Sequence, residues 1–350
     1  MTLTVLSVAY PMAPVSRNTA GGAEQILAAL DHALVASGHR SLVIAREDSR
    51  ISGELIGVPI PAGRLDADTQ RAMHCHQRDA IRATLARYPV DLIHMHGIDF
   101  HAYLPPPGPP TLITLHMPPE WYPRQVLLPS RPNTWFNTVS HDQHLRCPKS
   151  PTLLGPIENG VPVDALQAPC PKQEFILSLG RICPEKGQHL AIEASRRAGV
   201  PLVIAGEVFP YERHQTYLEE EILPRLDDQR RYIGPADFLR KTLLLTAARC
   251  LLLTSLVPET SSLVAREALA CGTPVIAFDR GALPEAIEHG RTGFLVSDVD
   301  DMASAIRHVG MIDPTLCCQV AREQFSEDVM SARYLEIYYR LCGRSGGDVA

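Results

Sequence analysis

Apolar positions in this chain fall into short runs that alternate with stretches of helical period. Leu3–Ala9 is a run rich in Val and Leu and reads as a buried strand; a loop containing Pro, Asn and Gly follows, then the helical pattern Ala23–Ala36, ending near Gly38. The alternation continues with a strand over Ser41–Ala45, a polar helix over Thr69–Arg87, and strands over Asp91–Met95 and, past the Pro-rich turn Leu104–Pro110, Thr111–Leu115. It restarts after Gly155–Pro171. Strands at Phe175–Leu179, Pro201–Ala205, Arg249–Thr254 and Pro274–Phe278 interleave with helices at Gln188–Ala198, Tyr217–Leu226, Leu263–Cys271, Leu283–His289 and Met302–Val309. Strands separated by helices imply parallel sheets. The expected fold class is α/β, with two successive doubly wound, Rossmann-like halves joined near 165–172 and assigned to 1–168 and 169–325. A final helix at about 326–342 is expected to pack back on the N-terminal half.

Composition narrows the class. At a loose prior of about 150 residues per domain, 350 residues make two domains. A hydrophobic share of 45% with 21% charged residues, and a mean hydropathy of −0.03, exclude a disordered chain and a membrane-embedded one. Net charge is −6; residues 1–165 carry 13 Lys and Arg against 14 Asp and Glu, and 166–350 carry 20 against 25, so neither half has the basic excess of a nucleic-acid binder. The nine cysteines are scattered and never spaced as paired CxxC sets, which speaks against a disulfide framework or structural zinc and for a reducing, cytoplasmic setting. The start, Met1 to Tyr10, lacks the basic region and cleavage site of a signal peptide, and no run of about 18 apolar residues occurs.

In open parallel sheets ligands bind beyond the carboxyl ends of the strands, so the loops there come first. The loop after the first strand, Tyr10–Gly22, enters a helix through Thr19-Ala20-Gly21-Gly22-Ala23-Glu24. Paired glycines let backbone amides approach a ligand, and a helix start favours an anion. The loop lacks GxGxxG and is longer than the tight first turn of a dinucleotide-binding unit, which disfavours an NAD protein. A turn that merely admits the helix is the alternative.

After Phe175–Leu179 comes Gly180-Arg181-Ile182-Cys183-Pro184-Glu185-Lys186-Gly187, with two cations five residues apart. A planar guanidinium and a point-charge ammonium suit a diphosphate. Further on, the segment from Val257 to Ala277 follows a strand and opens a helix near Ser261 or Ser262, with Glu259 before the helix and Glu267 some six residues along it, roughly 9 Å at 1.5 Å per residue. The free amides at that start form an anion site flanked by two carboxylates. Carboxylates accept hydrogen bonds from hydroxyls, and a nucleotide sugar has hydroxylated rings on both sides of its diphosphate, so the spacing fits such a ligand. The alternative is an exposed Glu259 with Glu267 as a simple helix former.

Residues 176–298 resemble the C-terminal domain of family 4 of the retaining glycosyltransferases (GT4), whose GT-B fold sets two Rossmann-like domains facing across a cleft. The matching stretches are LGRICPEKG, ETSSLVAREALACGTPVIAF, RGALPEAIEHG and RTGFLV; the N-terminal GGAE loop and VDLIHMHG are also similar. The resemblance implies that Gly180, Arg181 and Lys186 hold the donor diphosphate, that Glu259 holds donor-sugar hydroxyls and Glu267 the ribose, and that the amides of Ser262 and Leu263 reach the phosphates or sugar. In the N-terminal, acceptor-side domain, Gly21, Gly22 and His116 would face the donor. It further implies transfer of a hexose-type sugar from a UDP- or GDP-sugar to a hydroxyl acceptor, with retention by front-face attack and no metal or other cofactor; Arg181, Lys186, Glu259 and His116 would carry the reaction, by charge stabilisation and positioning. A sugar-nucleotide epimerase of the same fold, or a silent nucleotide-binding protein, are the alternatives. The chain departs from the family at Thr260-Ser261-Ser262, where Pro-Phe-Gly is common, and at Arg266, where the usual residue is apolar; Arg266 is expected to be a solvated helix position.

The remaining motifs have plainer readings. Asp66-Ala67-Asp68 and Asp298-Val299-Asp300 fit DxD, but both precede helices and are expected to cap them. Ten of fourteen histidines precede residue 165. His74 and His76 diverge on a helix and make no chelate, whereas His94 and His96 share a strand face, with His96 placed for acceptor contact. Pro105–Pro110 reads as a rigid connection. The four arginines of Thr69–Arg87 are interspersed with acids, which disfavours peripheral membrane contact.

Overall fold

In this computed structural model, which describes residues 2–19, 21–61, 66–128 and 130–344, the chain divides into two units: Met1–Glu158 with Met330 onward, and Asn159–Val329. Met1 and Ala20, both named above, lie outside the described residues.

The first unit carries strands β1 (Thr4–Val8), β2 (Arg40–Arg46), β3 (Glu54–Val58), β4 (Leu92–Met95), β5 (Thr111–Leu115) and β6 (Thr134–Thr138), with helices α1 (Gly22–Ala36), α2 (Ala67–Arg87) and α3 (His141–Arg146). Its strands make one six-stranded parallel sheet in the order β3-β2-β1-β4-β5-β6. Leu6, Leu42, Ile44, Ile93, Met95 and Ile113 pack on one face with Met73 and Ile81 of α2, and Val43 and Ala45 meet Leu27 and Ala28 of α1 on the other. Asp66 accepts a hydrogen bond from the Thr69 amide and caps α2.

The second unit repeats the plan. Strands β7 (Ile176–Leu179), β8 (Leu202–Ala205), β9 (Arg230–Tyr232), β10 (Leu251–Leu253), β11 (Val275–Phe278) and β12 (Gly293–Val296) alternate with α4 (Gln188–Ala198), α5 (Glu212–Tyr217), α6 (Phe238–Ala247), α7 (Leu263–Ala270), α8 (Leu283–Ala286), α9 (Val299–His308) and α10 (Pro314–Gln324). The order β12-β11-β10-β7-β8-β9 is the same winding as in the first unit, with all neighbours parallel. Alternate side chains feed two cores: Leu177, Leu251, Leu253, Val275 and Ala277 face one, and Ile176, Leu252, Ile276 and Phe278 the other. Asp298 caps α9 through the amides of Asp300 and Asp301.

Residues 159–168, placed with the N-terminal half in the sequence reading, belong to the second unit. Val161, Val163 and Leu166 enter its core, and the Val161 amide donates to the Phe325 carbonyl at 2.8 Å while that of Glu327 returns to Val161. The last helix, α11 (Glu327–Leu341), buries Met330, Tyr334 and Tyr338 at i, i+4 and i+8, a single stripe. The helix expected over Tyr217–Leu226 is broken: α5 ends at Tyr217, a wide turn covers Leu218–Ile222, and Pro224 lies in a tighter turn over Leu223–Arg225.

The Tyr334 and Tyr338 hydroxyls reach into the first sheet. Tyr338 Oη lies 2.6 Å from His94 Nδ1, and His94 Nε2 lies 2.7 Å from Thr114 Oγ1. Thr114 donates to Asn137 Oδ1, so it accepts from His94; the imidazole therefore carries its proton on Nε2 and takes the Tyr338 proton on Nδ1. Tyr338→Phe leaves that buried nitrogen without its donor and is expected to cost about 1–3 kcal/mol in urea unfolding; an unchanged midpoint would contradict this network.

Candidate functional site

In each sheet the winding reverses beside its first strand, between β1 and β4 and between β7 and β10. Loops at such a reversal splay apart and leave room for a ligand. In the second unit those two loops carry the cations and carboxylates singled out above: 180–187 follows β7 and 254–262 follows β10.

The backbone joins these loops. The Leu256 amide donates to the Glu185 carbonyl at 2.8 Å, and Thr254 Oγ1 donates to the Lys186 carbonyl at 2.9 Å. Gly187 has φ +62, and a Cβ there would fall 2.4 Å from the Thr254 carbonyl oxygen, so only glycine allows this approach. Across the junction Lys186 Nζ meets Glu259 Oε1 at 2.5 Å, and Ser255 Oγ donates to the same oxygen. Burial opposes ionisation of Glu259, but the Lys186 charge, the hydrogen bonds from Lys186 and Ser255 and the charge of Arg181 outweigh it and hold the carboxyl below its ordinary value. Arg181 lies with its guanidinium carbon 5.3 Å from the Phe209 ring centre. The loop Arg280–Leu283 supports Glu259 from behind: Gly281 bridges it, and the Ala282 amide donates to its carbonyl at 2.8 Å.

Helix α7 begins at Leu263, one residue later than the latest start expected, because Ser262 adopts the left-handed conformation, φ 57 and ψ 76. Its Glu267, 4% exposed, pairs with Lys241 Nζ of α6 at 2.5 Å. Arg266 is not solvated. It is fully buried, donates to the Asn159 carbonyl at 3.0 Å and to Ser261 Oγ at 2.5 Å, and stacks over Phe325 at 4.9 Å. Lys241 and Ser255 went unrecognised from sequence, since each is partnered across 26 residues or by a turn that only the fold closes.

The first unit holds Gly21, Gly22 and His116. Gly21 precedes α1 with an ordinary extended φ of −83, and the Glu24 carboxylate folds back so closely that a Cβ on Gly21 would lie 1.9 Å from it. This acid stands at the third helical position, in the first turn, where a negative charge complements the helix dipole. His116 Nε2 lies 3.0 Å from His96 Nδ1, with the rings stacked at 18°, and the His96 ring lies tilted at 44° against His94, 3.9 Å between centres. Burial holds all three histidines neutral, with His116 pushed down to about 4. His74 pairs with Asp99 at 2.6 Å.

Two family models match this chain: "Glycosyl transferases group 1" over residues 167–311, and "Glycosyltransferase Family 4" over 20–147. Glycogen synthase of Mycobacterium tuberculosis is 33% identical over 163 residues, 44% of this chain and 38% of that protein. D-inositol 3-phosphate glycosyltransferase of Mycobacterium bovis is 35% identical over 159 residues, 43% of this chain and 30% of that protein. The matches thus span well under half of these relatives' length. Among solved structures, sucrose-phosphate synthase from Thermosynechococcus elongatus superposes with a TM-score of 0.79 at 19% identity, covering 98% of this chain and 100% of that one. Anabaena HepE in complex with UDP and glucose gives 0.73 at 19%, covering 96% and 99%. These last two establish a common fold. Among the described residues no helix is long and apolar enough to cross a membrane.

Two outcomes are expected. Lys186→Met strands a partly buried carboxylate and lowers the thermal midpoint, while adding Glu259→Gln restores part of the loss; a double-mutant cycle should give a coupling of about 0.5–3 kcal/mol, and strict additivity would mean that the pair does not act as a unit. The histidines titrate below their unfolded value of 6.5, so their contribution is intact above that pH and is lost as pH falls from about 6.5 towards 4. The slope is up to about 1.4 kcal/mol per pH unit for each histidine, and His116→Asn should flatten it in denaturant melts taken across that range.

Proposed function

The chain belongs to glycosyltransferase family 4 and has the GT-B fold; from that premise we propose that it moves a hexose-type sugar from a nucleoside-diphosphate sugar, a UDP- or GDP-sugar, to a hydroxyl acceptor, with retention of configuration and without a metal. The observation that carries this reading is the arrangement around the start of α7. Two carboxylates, the buried Glu267 and the partly buried Glu259, each held by a lysine, flank a helix N-terminus beside the loop that bears Arg181. That pattern provides positive charge for a diphosphate and acceptors for hydroxyls on both sides of it.

The roles follow from the chemistry. Arg181, Lys186 and the amides from Ser262 and Leu263 onward receive the diphosphate, with Gly180 letting the backbone turn there. Glu259 takes sugar hydroxyls and Glu267 the ribose. The departing phosphate accumulates charge as the glycosidic bond breaks, and fixed cations lower that barrier without a protein nucleophile. His116 and the Gly21–Gly22 turn serve the reaction from the first unit, to which we assign the acceptor. Neighbours of the same fold were solved with UDP and glucose, with UDP-glucose and with ADP, which supports a nucleotide-sugar donor. The nine cysteines are free thiols, which fits a cytoplasmic reaction.

The test is a thermal-shift panel in EDTA with UDP, GDP, ADP, dTDP and their sugar conjugates. A ligand at about 100 times its Kd adds roughly 2.7 kcal/mol and should move the midpoint by several degrees. Arg181→Ala should lose the shift with every diphosphate, whereas Glu259→Gln should keep the diphosphate shift and lose the increment due to the sugar. No shift with any compound, or a shift that requires added metal, would overturn the reading; donor binding with neither transfer nor hydrolysis would leave a silent binding protein.

A further inference from the structure

The loop after β7 carries a second group of chemistry-bearing side chains that the proposed transfer does not use. Cys183 and Glu185 lie two residues apart at the start of the short turn Pro184–Lys186, and His214 lies on α5. One ligand atom from each, the sulfur, a carboxylate oxygen and a ring nitrogen, falls within 4.8 Å of the other two. We propose that Cys183, Glu185 and His214 are the protein ligands of a zinc-class divalent cation, a fourth position being left to solvent.

The donor set argues for this class of ion. Sulfur, imidazole and carboxylate together match zinc and its neighbours, whereas calcium and magnesium take oxygen alone. Cys183 is 2% exposed and His214 9%, and His214 Nδ1 is buried without a hydrogen-bond partner. An orphaned buried nitrogen costs free energy that a ligated ion recovers. The imidazole is fixed in place by Tyr211, edge-on at 5.2 Å, and by Phe209, stacked at 6.3 Å.

Two contacts must yield. The Cys183 thiol hydrogen-bonds the Glu185 carboxylate, and binding replaces that proton by the metal, so one proton leaves to solvent for each ion bound. Glu185 Oε1 also pairs with Arg213 at 2.7 Å, but the Arg213 side chain is 67% exposed, and so open a pair adds little to hold it. Occupancy would tie α5 to the loop that bears Arg181 and Lys186. The proposal asks nothing of the transfer reaction and stands or falls without it.

The test uses the full chain, stripped with EDTA, exchanged into metal-free buffer with a non-chelating reductant, and titrated with cobalt(II) and then zinc(II). One equivalent of cobalt should give a thiolate charge-transfer absorption that zinc displaces. Cys183→Ser should abolish the band, and Glu185→Gln and His214→Gln should each weaken binding at least tenfold. Cys75→Ser, which removes the exposed thiol between His74 and His76, should change nothing. Absence of the band, its survival in Cys183→Ser, or its loss in Cys75→Ser overturns the assignment. Where circular dichroism shows that Cys183→Ser has not folded, the other two variants decide: unchanged cobalt affinity in both rejects the site.

Discussion

The ion pair between Lys186 and Glu259 is the constraint on which the second unit's site depends. It joins two loops that leave neighbouring strands at a point where the winding reverses, and such loops otherwise diverge. The Leu256 amide and the Thr254 hydroxyl set the loops' spacing, Gly187 lets them touch, and the ion pair then holds two side chains of opposite charge in one partly buried place. Each charge offsets part of the other's desolvation there. A diphosphate arriving at Lys186 competes with Glu259 for the ammonium, so part of its binding free energy is spent on parting the pair. Sugar hydroxyls that satisfy the released carboxylate return some of it. Under the proposed reaction, an intact nucleotide sugar thus compensates both partners, and a bare diphosphate only one.

Helix α7 ties this arrangement to the rest of its unit. Consecutive residues on eight residues of helix do opposite jobs: Glu267 meets Lys241, while Arg266 meets the Asn159 carbonyl and the Phe325 ring. Asn159 and Phe325 lie near the two ends of the unit's chain, which are also joined by the Val161–Phe325 and Glu327–Val161 hydrogen bonds. The helix that presents a carboxylate is therefore anchored where the unit begins and ends. An apolar side chain at Arg266 would fill the volume but could not reach both a carbonyl and Ser261 Oγ.

Much of this was legible in the sequence, and what was not has identifiable causes. Strands such as β7, β8 and β11 are continuous apolar runs, as expected of strands covered on both faces, and each was read close to its observed limits. The edge strands β3 and β9, ELIGV and RRY, are short or polar and gave no periodic signal. Helix α6 hid its amphipathic pattern behind a Gly-Pro segment. The cations of the loop after β7 and the two glutamates were visible because their spacing is local. Lys241, Ser255 and the burial of Arg266 were not, since each is settled by long-range pairing. The pairing of His96 with His116 likewise needs the β4–β5 register, in which His94 stands opposite Leu112, before histidines twenty residues apart become neighbours. Ser262 is the subtlest case. It occupies the position where the family commonly has glycine and takes a left-handed φ that costs a side chain free energy. The departure thus looked like a change of pocket polarity when its first effect is on the backbone.

The two units share one winding but differ in the polar networks beside their first strands. In the first, the neutral imidazoles of His94, His96 and His116 join the hydroxyls of Tyr334, Tyr338 and Thr114 in a network without charge of its own, while the buried carboxylates of Asp31 and Asp99 are held elsewhere by Ser41 and by His74. The second pairs ions beside a helix N-terminus, Lys241 with the buried Glu267 and Lys186 with the partly buried Glu259, next to the Arg181 guanidinium that lies over Phe209. A neutral network orients hydroxyls without attracting charge, whereas paired ions keep positive charge concentrated where an anion exchanges for a carboxylate. The proposed reaction, on the family resemblance, assigns a hydroxyl acceptor to the first unit and a diphosphate donor to the second, and an uncharged hydroxyl network in one and paired ions beside a helix N-terminus in the other are in keeping with that division on a common backbone plan.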